Sequence, residues 1–267
     1  MTERRCMMRY VSNAGMVLVA EGQAIGIDVF SRDPSRLYPD TPPGIRQELL
    51  DEIEQGNLKT LIFTHGHGDH FCREDVEEAL ERNPRLQVIS TVPVIQELLS
   101  AGKEKGLPGE GSLPLGGYHL QAITREKTAQ GPFWMQLGAF RTGFLHTIHE
   151  GVPYAQVPNL TLLMEVAGQR WVVAGDAAPR GELFAQIACW KKELDWFFLP
   201  FPYVGVSSTR CLLKKMLDIR QSFVLHEPRR EADHQNWREN TRRICMQARD
   251  GLPLPVFAEE PGSWYRL

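Results

Sequence analysis

At 267 residues the chain can bury a sizeable core, and an apolar fraction of 42% with 24% charged residues is that of an ordinary globule. A net charge of -3 with scattered basic residues excludes the basic composition of a nucleic-acid binder, so nucleic acid is not an expected partner. Cys6, Cys72, Cys189, Cys211 and Cys245 are far apart, odd in number and free of any CxxC, which argues against a disulfide framework or a sulfur-ligated metal.

The early apolar run Met16–Ala20 is too short for a signal-peptide core or a membrane span, so a cytoplasmic protein without membrane contact is expected. Arg9–Val19 and Ala24–Val29 read as an antiparallel strand pair, with Asn13-Ala14-Gly15 marking a bulge or tight bend. Asp28 ends the second run. A carboxylate leaving a buried strand needs a partner, either as the cap of a nearby loop or as an acceptor behind a metal ligand. Ser31–Gly44 is a loop rich in Pro and Asp at the expected site mouth. Ile45, Leu49, Leu50 and Ile53 recur at helical spacing, with Gly56-Asn57 as the stop.

Leu58–Thr64 reads as a strand that runs into Thr64-His65-Gly66-His67-Gly68-Asp69-His70-Phe71. Three imidazoles and a carboxylate in one short loop suit zinc, iron or manganese, and small Gly66 and Gly68 let such a loop bend tightly. Beyond it the pattern predicts a helix over Arg73–Arg82, a strand over Leu86–Ile89 and a helix from about Pro93 to Ser100. A loop or lid follows over Ala101–Gly117, where Lys103 and Lys105 offer charge to an anion. Short strands are expected at Tyr118–Ile123, Trp134–Leu137 and Phe140–Leu145. A hairpin joins Leu160–Val166 to Trp171–Val173. Helices over Leu183–Lys191, Ser207–Leu217 and Trp237–Ala248 alternate with strands Trp196–Leu199 and Phe223–Leu225, and Val256–Leu267 is an extended tail. Two such halves meeting sheet to sheet form an α+β, four-layer αββα sandwich of two mixed sheets covered by helices, as a single domain over residues 1–267.

One loop seldom closes a metal site. Further donors follow apolar runs at His146 and His149, at Gly175-Asp176 and at His226. His149 is favoured over His146, and His119 has no such context. A buried carboxylate such as Asp176 is costly without a cation or several donors.

These positions resemble the metallo-β-lactamase-fold metallohydrolase superfamily. Its HxHxDH signature is met by His65, His67, Asp69 and His70, its later single His by His149, its Gly-Asp by Gly175-Asp176 and its last His by His226. The opening Tyr10-Val11-Ser12-Asn13-Ala14-Gly15 with Ile27-Asp28 resembles the ascorbate-6-phosphate lactonase-like branch. The resemblance implies two divalent metal ions, zinc by default with manganese or iron as alternatives. His65, His67 and His149 would hold one, Asp69, His70 and His226 the other, and Asp176 would bridge them. Phe71 after the signature, His67 in place of a Glu and Asp176 in place of a Cys depart from β-lactamases and flavin-linked diiron enzymes.

The implied activity is that of a dinuclear metal-dependent hydrolase, in which a metal-bridging hydroxide attacks a carbonyl or phosphorus. Asp69 would orient that nucleophile, and Asp28 would hold an imidazole from behind. Arg229-Arg230, Arg210 and His234 suggest an anionic small-molecule substrate, a phosphoester or a charged lactone, set against ordinary solvated helix starts. Tyr203 can donate to an oxyanion or simply pack. A nuclease or phosphodiesterase, an iron-dependent redox enzyme and a non-catalytic metal-binding protein are the other readings. The oligomeric state is not legible.

Overall fold

A computed structural model of the chain describes residues 6–104, 119–150 and 156–267. Strands Cys6–Ser12 (β1), Gly15–Ala20 (β2), Gln23–Ile27 (β3), Leu58–Ile62 (β4), Gln87–Thr91 (β5) and His119–Ile123 (β6) build the first sheet. Phe133–Leu137 (β7), Phe140–Glu150 (β8), Gln156–Val166 (β9), Gln169–Val173 (β10), Glu193–Pro200 (β11), Asp218–Leu225 (β12) and Val256–Phe257 (β13) build the second. Trp264–Arg266 (β14) returns to pair with β1. Both sheets are mixed: an antiparallel meander passes into parallel strands, β3 to β6 in one and β10 to β13 in the other.

The helices are Pro43–Glu54 (α1), Arg73–Arg82 (α2), Val92–Glu104 (α3), Gly181–Trp190 (α4), Pro202–Gly205 (α5), Ser207–Met216 (α6) and Trp237–Gln247 (α7). Strand alternation sends neighbouring residues into different layers. Ile62 packs between the sheets with Met16, Phe140, Leu162, Trp171 and Phe198. Its neighbour Leu61 faces outward, in one cluster with Leu49, Ile53, Val76 and Leu98 of α1 to α3. In the second half Val172 packs with Phe184, Ile187 and Leu213, while Trp171 turns inward. The result is the expected αββα order of layers.

Two readings of the chain need correction. Arg9–Val19 is not one strand but β1 and β2; of the two readings of Asn13-Ala14-Gly15 the tight bend holds, as a hairpin turn with Asn13 at a left-handed φ of 46°. The tail is not one extended piece. Its β13 pairs with β12 of the second sheet and its β14 with β1 of the first. Helix α3 runs on to Glu104, and the rest of the expected Ala101–Gly117 loop lies outside the described residues, as do Lys105 and the side chain of Lys103. Among the described residues no helix is long and apolar enough to cross a membrane.

Candidate metal centre

Parallel strands carry their C-terminal ends to one edge, and there the candidate ligands gather. The loop after β4 brings His65, His67, Asp69 and His70. The ends of β8, β10 and β12 bring His149, Asp176 and His226. The two sheets are joined at this edge by the Leu160 N–H, which donates to the Thr64 carbonyl at 2.9 Å. The chain leaves several strands through left-handed residues, Asp28 at φ 50°, Gly175 at φ 56° and His226 at φ 59°. Such positions are costly for residues other than glycine and cluster where side chains must be aimed.

The donors fall into two groups. His65, His67 and His149 form the first, and Asp69, His70, Asp176 and His226 the second, with donor atoms inside each group lying within 4.8 Å of one another. His149, not His146, joins the cluster. The two are three apart on one strand and so point to opposite faces. Burial, then the charge of Arg125, lowers the His146 imidazole, with Glu126 opposing.

Hydrogen bonds behind the rings set their tautomers. Asp28 is buried; its Oδ1 accepts the Thr64 N–H at 2.7 Å and its Oδ2 accepts the Thr64 hydroxyl at 2.7 Å. The same Oδ2 accepts His70 Nδ1–H at 2.9 Å. With its own proton given to Asp28, the Thr64 oxygen accepts from His65 Nδ1 at 3.1 Å. His149 Nδ1 donates to the Asp176 carbonyl at 3.0 Å. In all three rings Nδ1 is engaged by the scaffold and Nε2 is left for the cluster, the arrangement by which outer partners orient metal-binding imidazoles. Asp28 thus serves both roles considered for it, loop cap and imidazole acceptor.

Whether these residues fit a metal can be tested on their unpartnered atoms. His65 Nε2 and Asp176 Oδ1 are fully buried and lack a hydrogen bond, and His70 Nε2 lies 3.3 Å from Asp176 Oδ2 without hydrogen-bond geometry. Buried polar atoms left bare in the middle of a fold are rare. Here they converge with nitrogen and oxygen donors only, which fits divalent zinc, manganese or iron.

The two groups also differ in charge. Burial, then the charge of His70, holds His65 well below the usual imidazole range, and burial with His149 lowers His67. In the second group burial again disfavours charge, but Asp176 and Asp69 outweigh it and push His70 and His226 up to about 10. His226 Nε2 sits 2.8 Å from Asp69 Oδ2 and 3.1 Å from Asp176 Oδ2. Both carboxyls stay well below the ordinary range, because these imidazolium charges overcome the penalty of burial.

Other expected contacts lie elsewhere. Tyr203 is buried on the helix side of the second sheet, where its hydroxyl donates to the Ala177 carbonyl at 2.6 Å, so it packs and does not meet an oxyanion. Arg210 is buried against Asp250, with contacts of 2.7 and 3.0 Å, and ties α6 to the segment after α7. Arg229 donates through Nε to the Tyr38 carbonyl at 2.7 Å and lies 3.0 Å from Asp40. Arg230 and His234 are exposed and belong to neither donor group.

Four residues at the site escaped the sequence reading. Thr64 relays Asp28 to His65. Asn13 donates to the Asp69 carbonyl at 2.8 Å. Asn159 accepts the Asp176 N–H at 3.1 Å. Tyr38 places its ring 4.0 Å from that of His226, and burial followed by the charges of Asp176 and Asp69 raises its phenol. Thr64 and Asn13 stand in stretches singled out in the sequence and Tyr38 in the loop expected at the site mouth, but the sequence assigns none of them a role. The glycines of the loop serve by their small size and not by an unusual backbone. Neither Gly66 nor Gly68 has a positive φ. A Cβ on Gly68 would lie 2.5 Å from the Arg32 carbonyl, so close backbone approach explains it.

Comparison with solved structures identifies the fold. The chain has the metallo-β-lactamase fold. It superposes on the metallo-β-lactamase fold protein YhfI from Bacillus subtilis with a TM-score of 0.61 at 14% identity, over 99% of this chain and 100% of that one. Igni18, a metallo hydrolase from the archaeon Ignicoccus hospitalis, is similar with a TM-score of 0.57 at 14% identity, covering 98% of each chain. The diiron β-hydroxylase CmlA from Streptomyces venezuelae is similar over 100% of this chain but 54% of its own, with a TM-score of 0.61 at 11% identity. No protein-family model and no curated protein matches the sequence.

Proposed function

We propose that the protein is a dinuclear metal-dependent hydrolase acting on an anionic small molecule, a phosphoester or a lactone with a charged group. The observation that carries this reading is the convergence of seven nitrogen and oxygen donors into two adjacent groups, with Nδ1 of three rings already engaged behind them. His65, His67 and His149 would hold one ion and Asp69, His70 and His226 the other. A bridging role for Asp176 is supported by its two oxygens: Oδ2 faces His226 and His70 and Oδ1 has no partner. Two divalent ions, when bound, supply Lewis-acid polarisation and a nucleophilic water at neutral pH.

The chain's own residues do the rest. Asp28 and Thr64 keep the Nδ1 protons in place, so the Nε2 lone pairs stay aimed inward. Asp69 is assigned to orient the attacking water: its Oδ2 is held by His226 and Asn13, and its Oδ1 makes no hydrogen bond among the described residues. The preference for an anion now rests on the charge of the site and not on arginines. Asp69 and Asp176 offset half the charge of two divalent ions, and with Asp28 behind His70 the loaded site keeps a net positive charge until its water ionises.

Metal analysis of protein purified without chelator tests this reading, together with turnover of p-nitrophenyl phosphate, bis(p-nitrophenyl) phosphate and carboxylated lactones. About two ions per chain and hydrolysis of one probe class are expected, both reduced in His67→Ala. Less than one ion per chain, with nothing lost in the variant, would refute it.

A further inference from the structure

The loop between β3 and α1 is held down along its length. Asp33 accepts the Tyr38 N–H at 2.7 Å and the Ser35 hydroxyl at 2.7 Å, and Asp40 accepts the Asp33 N–H at 2.7 Å. The Ser12 hydroxyl reaches the carbonyl of Asp40 at 2.7 Å. From the far side Arg229 grips the same turn three ways. Its N–H donates to the Leu37 carbonyl at 2.8 Å, its Nε to the Tyr38 carbonyl at 2.7 Å, and its Nη2 lies 3.0 Å from Asp40 Oδ2. The backbone on both sides of Tyr38 is therefore fixed, and its ring lies against His226 with centroids 4.0 Å apart. The hydroxyl makes no hydrogen bond among the described residues, on a half-buried side chain whose ring lies against His226 of the second donor group. Phenols at neutral pH are donors, and an open donor preset beside a site is the arrangement that stabilises charge on a bound oxygen at little reorganisation cost.

We propose that the Tyr38 hydroxyl donates a hydrogen bond to an oxygen of the anionic substrate bound against His226, Asp69 and Asp176, and that Arg229 is the positioning residue that holds Tyr38 there. The assignment rests on the reading of the site as a metal-dependent hydrolase site for anions. It gives Arg229 a part in recognition without contact to the ligand.

The test compares metal-loaded wild-type protein with Tyr38→Phe, Arg229→Gln and the double variant. Inorganic phosphate is the probe in calorimetry, and whichever of the phosphoester or carboxylated lactone probes the wild-type protein cleaves is the substrate. Tyr38→Phe keeps the ring and should keep metal content and Tm. Phosphate binding should weaken about 10- to 100-fold, as for loss of one hydrogen bond to a charged group. Arg229→Gln should weaken it in the same direction, and the double variant should be no worse than Tyr38→Phe, because two residues acting through one contact are not additive. Unchanged phosphate affinity and unchanged kcat/KM in Tyr38→Phe would overturn the assignment and leave the hydrolase reading standing. Additive losses in the double variant would remove Arg229 from it. A fully loaded wild-type protein that binds no phosphate and cleaves no probe would overturn both.

Discussion

Proton accounting separates the two donor groups residue by residue. His70 and His226, raised to about 10, carry a proton at pH 7.5 in the metal-free protein, whereas buried His65 and half-buried His67 are lowered and do not. A cation entering the second group must displace two protons. Zinc binding at pH 7.5 should therefore release about two protons per chain, seen as a dependence of calorimetric heat on the ionisation enthalpy of the buffer. Release of none would mean that both imidazoles are neutral. The same shifts give a sign for stability. A raised imidazole stabilises fully below its ordinary value of 6.5 and ceases to as pH passes about 10, so the metal-free protein should lose stability across that window. Chemical denaturation in chelator at successive pH values checks it. These residues were legible because ligand-type side chains followed apolar runs. The roles of Tyr38 and Asn13 were not, because nothing in a loop's composition says which residue will face a site contributed by distant strands.

Among the elements, the strand ends carry the most information. Gly175 illustrates why. Its φ is 56°, and an added Cβ would lie 2.5 Å from Asn159 Oδ1 and 2.9 Å from Thr64 Cβ. Gly175→Ala should thus cost roughly 2 kcal/mol or more from the left-handed conformation and the clash together. It should also move Asp176, which Asn159 holds through its N–H. Thermal melting would show a Tm lower by several degrees, with weakened metal binding by calorimetry, and a variant as stable and as tight as wild type would count against this account. Helices read well from sequence, since Arg73–Arg82 occupies the predicted residues and all four apolar positions of α1 are buried. The opening strands read less well: the interruption at Asn13-Ala14-Gly15 was visible, but with apolar residues on both sides hydropathy alone does not tell a bulge within one strand from a hairpin turn.

At the scale of the whole molecule the site lies across both sheets, with β4 supplying one side and β8, β10 and β12 the other. Ions bound there would tie the two halves together beyond their shared apolar core. Ligand at about 100 times Kd stabilises by about 2.7 kcal/mol, so chelation should lower Tm by about 5–10 °C for a chain of this size. Scanning fluorimetry with and without chelator measures the difference, and an unchanged Tm would argue against ions spanning the sheets. The layer order follows from period-two patterning on each strand, visible in the sequence as alternating and continuous apolar runs. The division of the tail between two sheets was not visible, because β13 and β14 are short and carry no pattern of their own.

By itself the sequence determined most of the elements, the four layers and the list of ligand-type residues, since these depend on local periodicity and on which side chains follow buried strands. Tertiary structure alone decided how the donors are grouped and what stands behind them. It separated His149 from His146 by strand phase, made Asp28 and Thr64 one hydrogen-bonded support, and turned Tyr203 and Arg210 into packing and ion-pair residues. It also brought Tyr38 to His226. The reason is physical: hydrogen bonds between residues far apart in the chain depend on angles and distances of an ångström or less, and those exist only after the sheets have closed on one another.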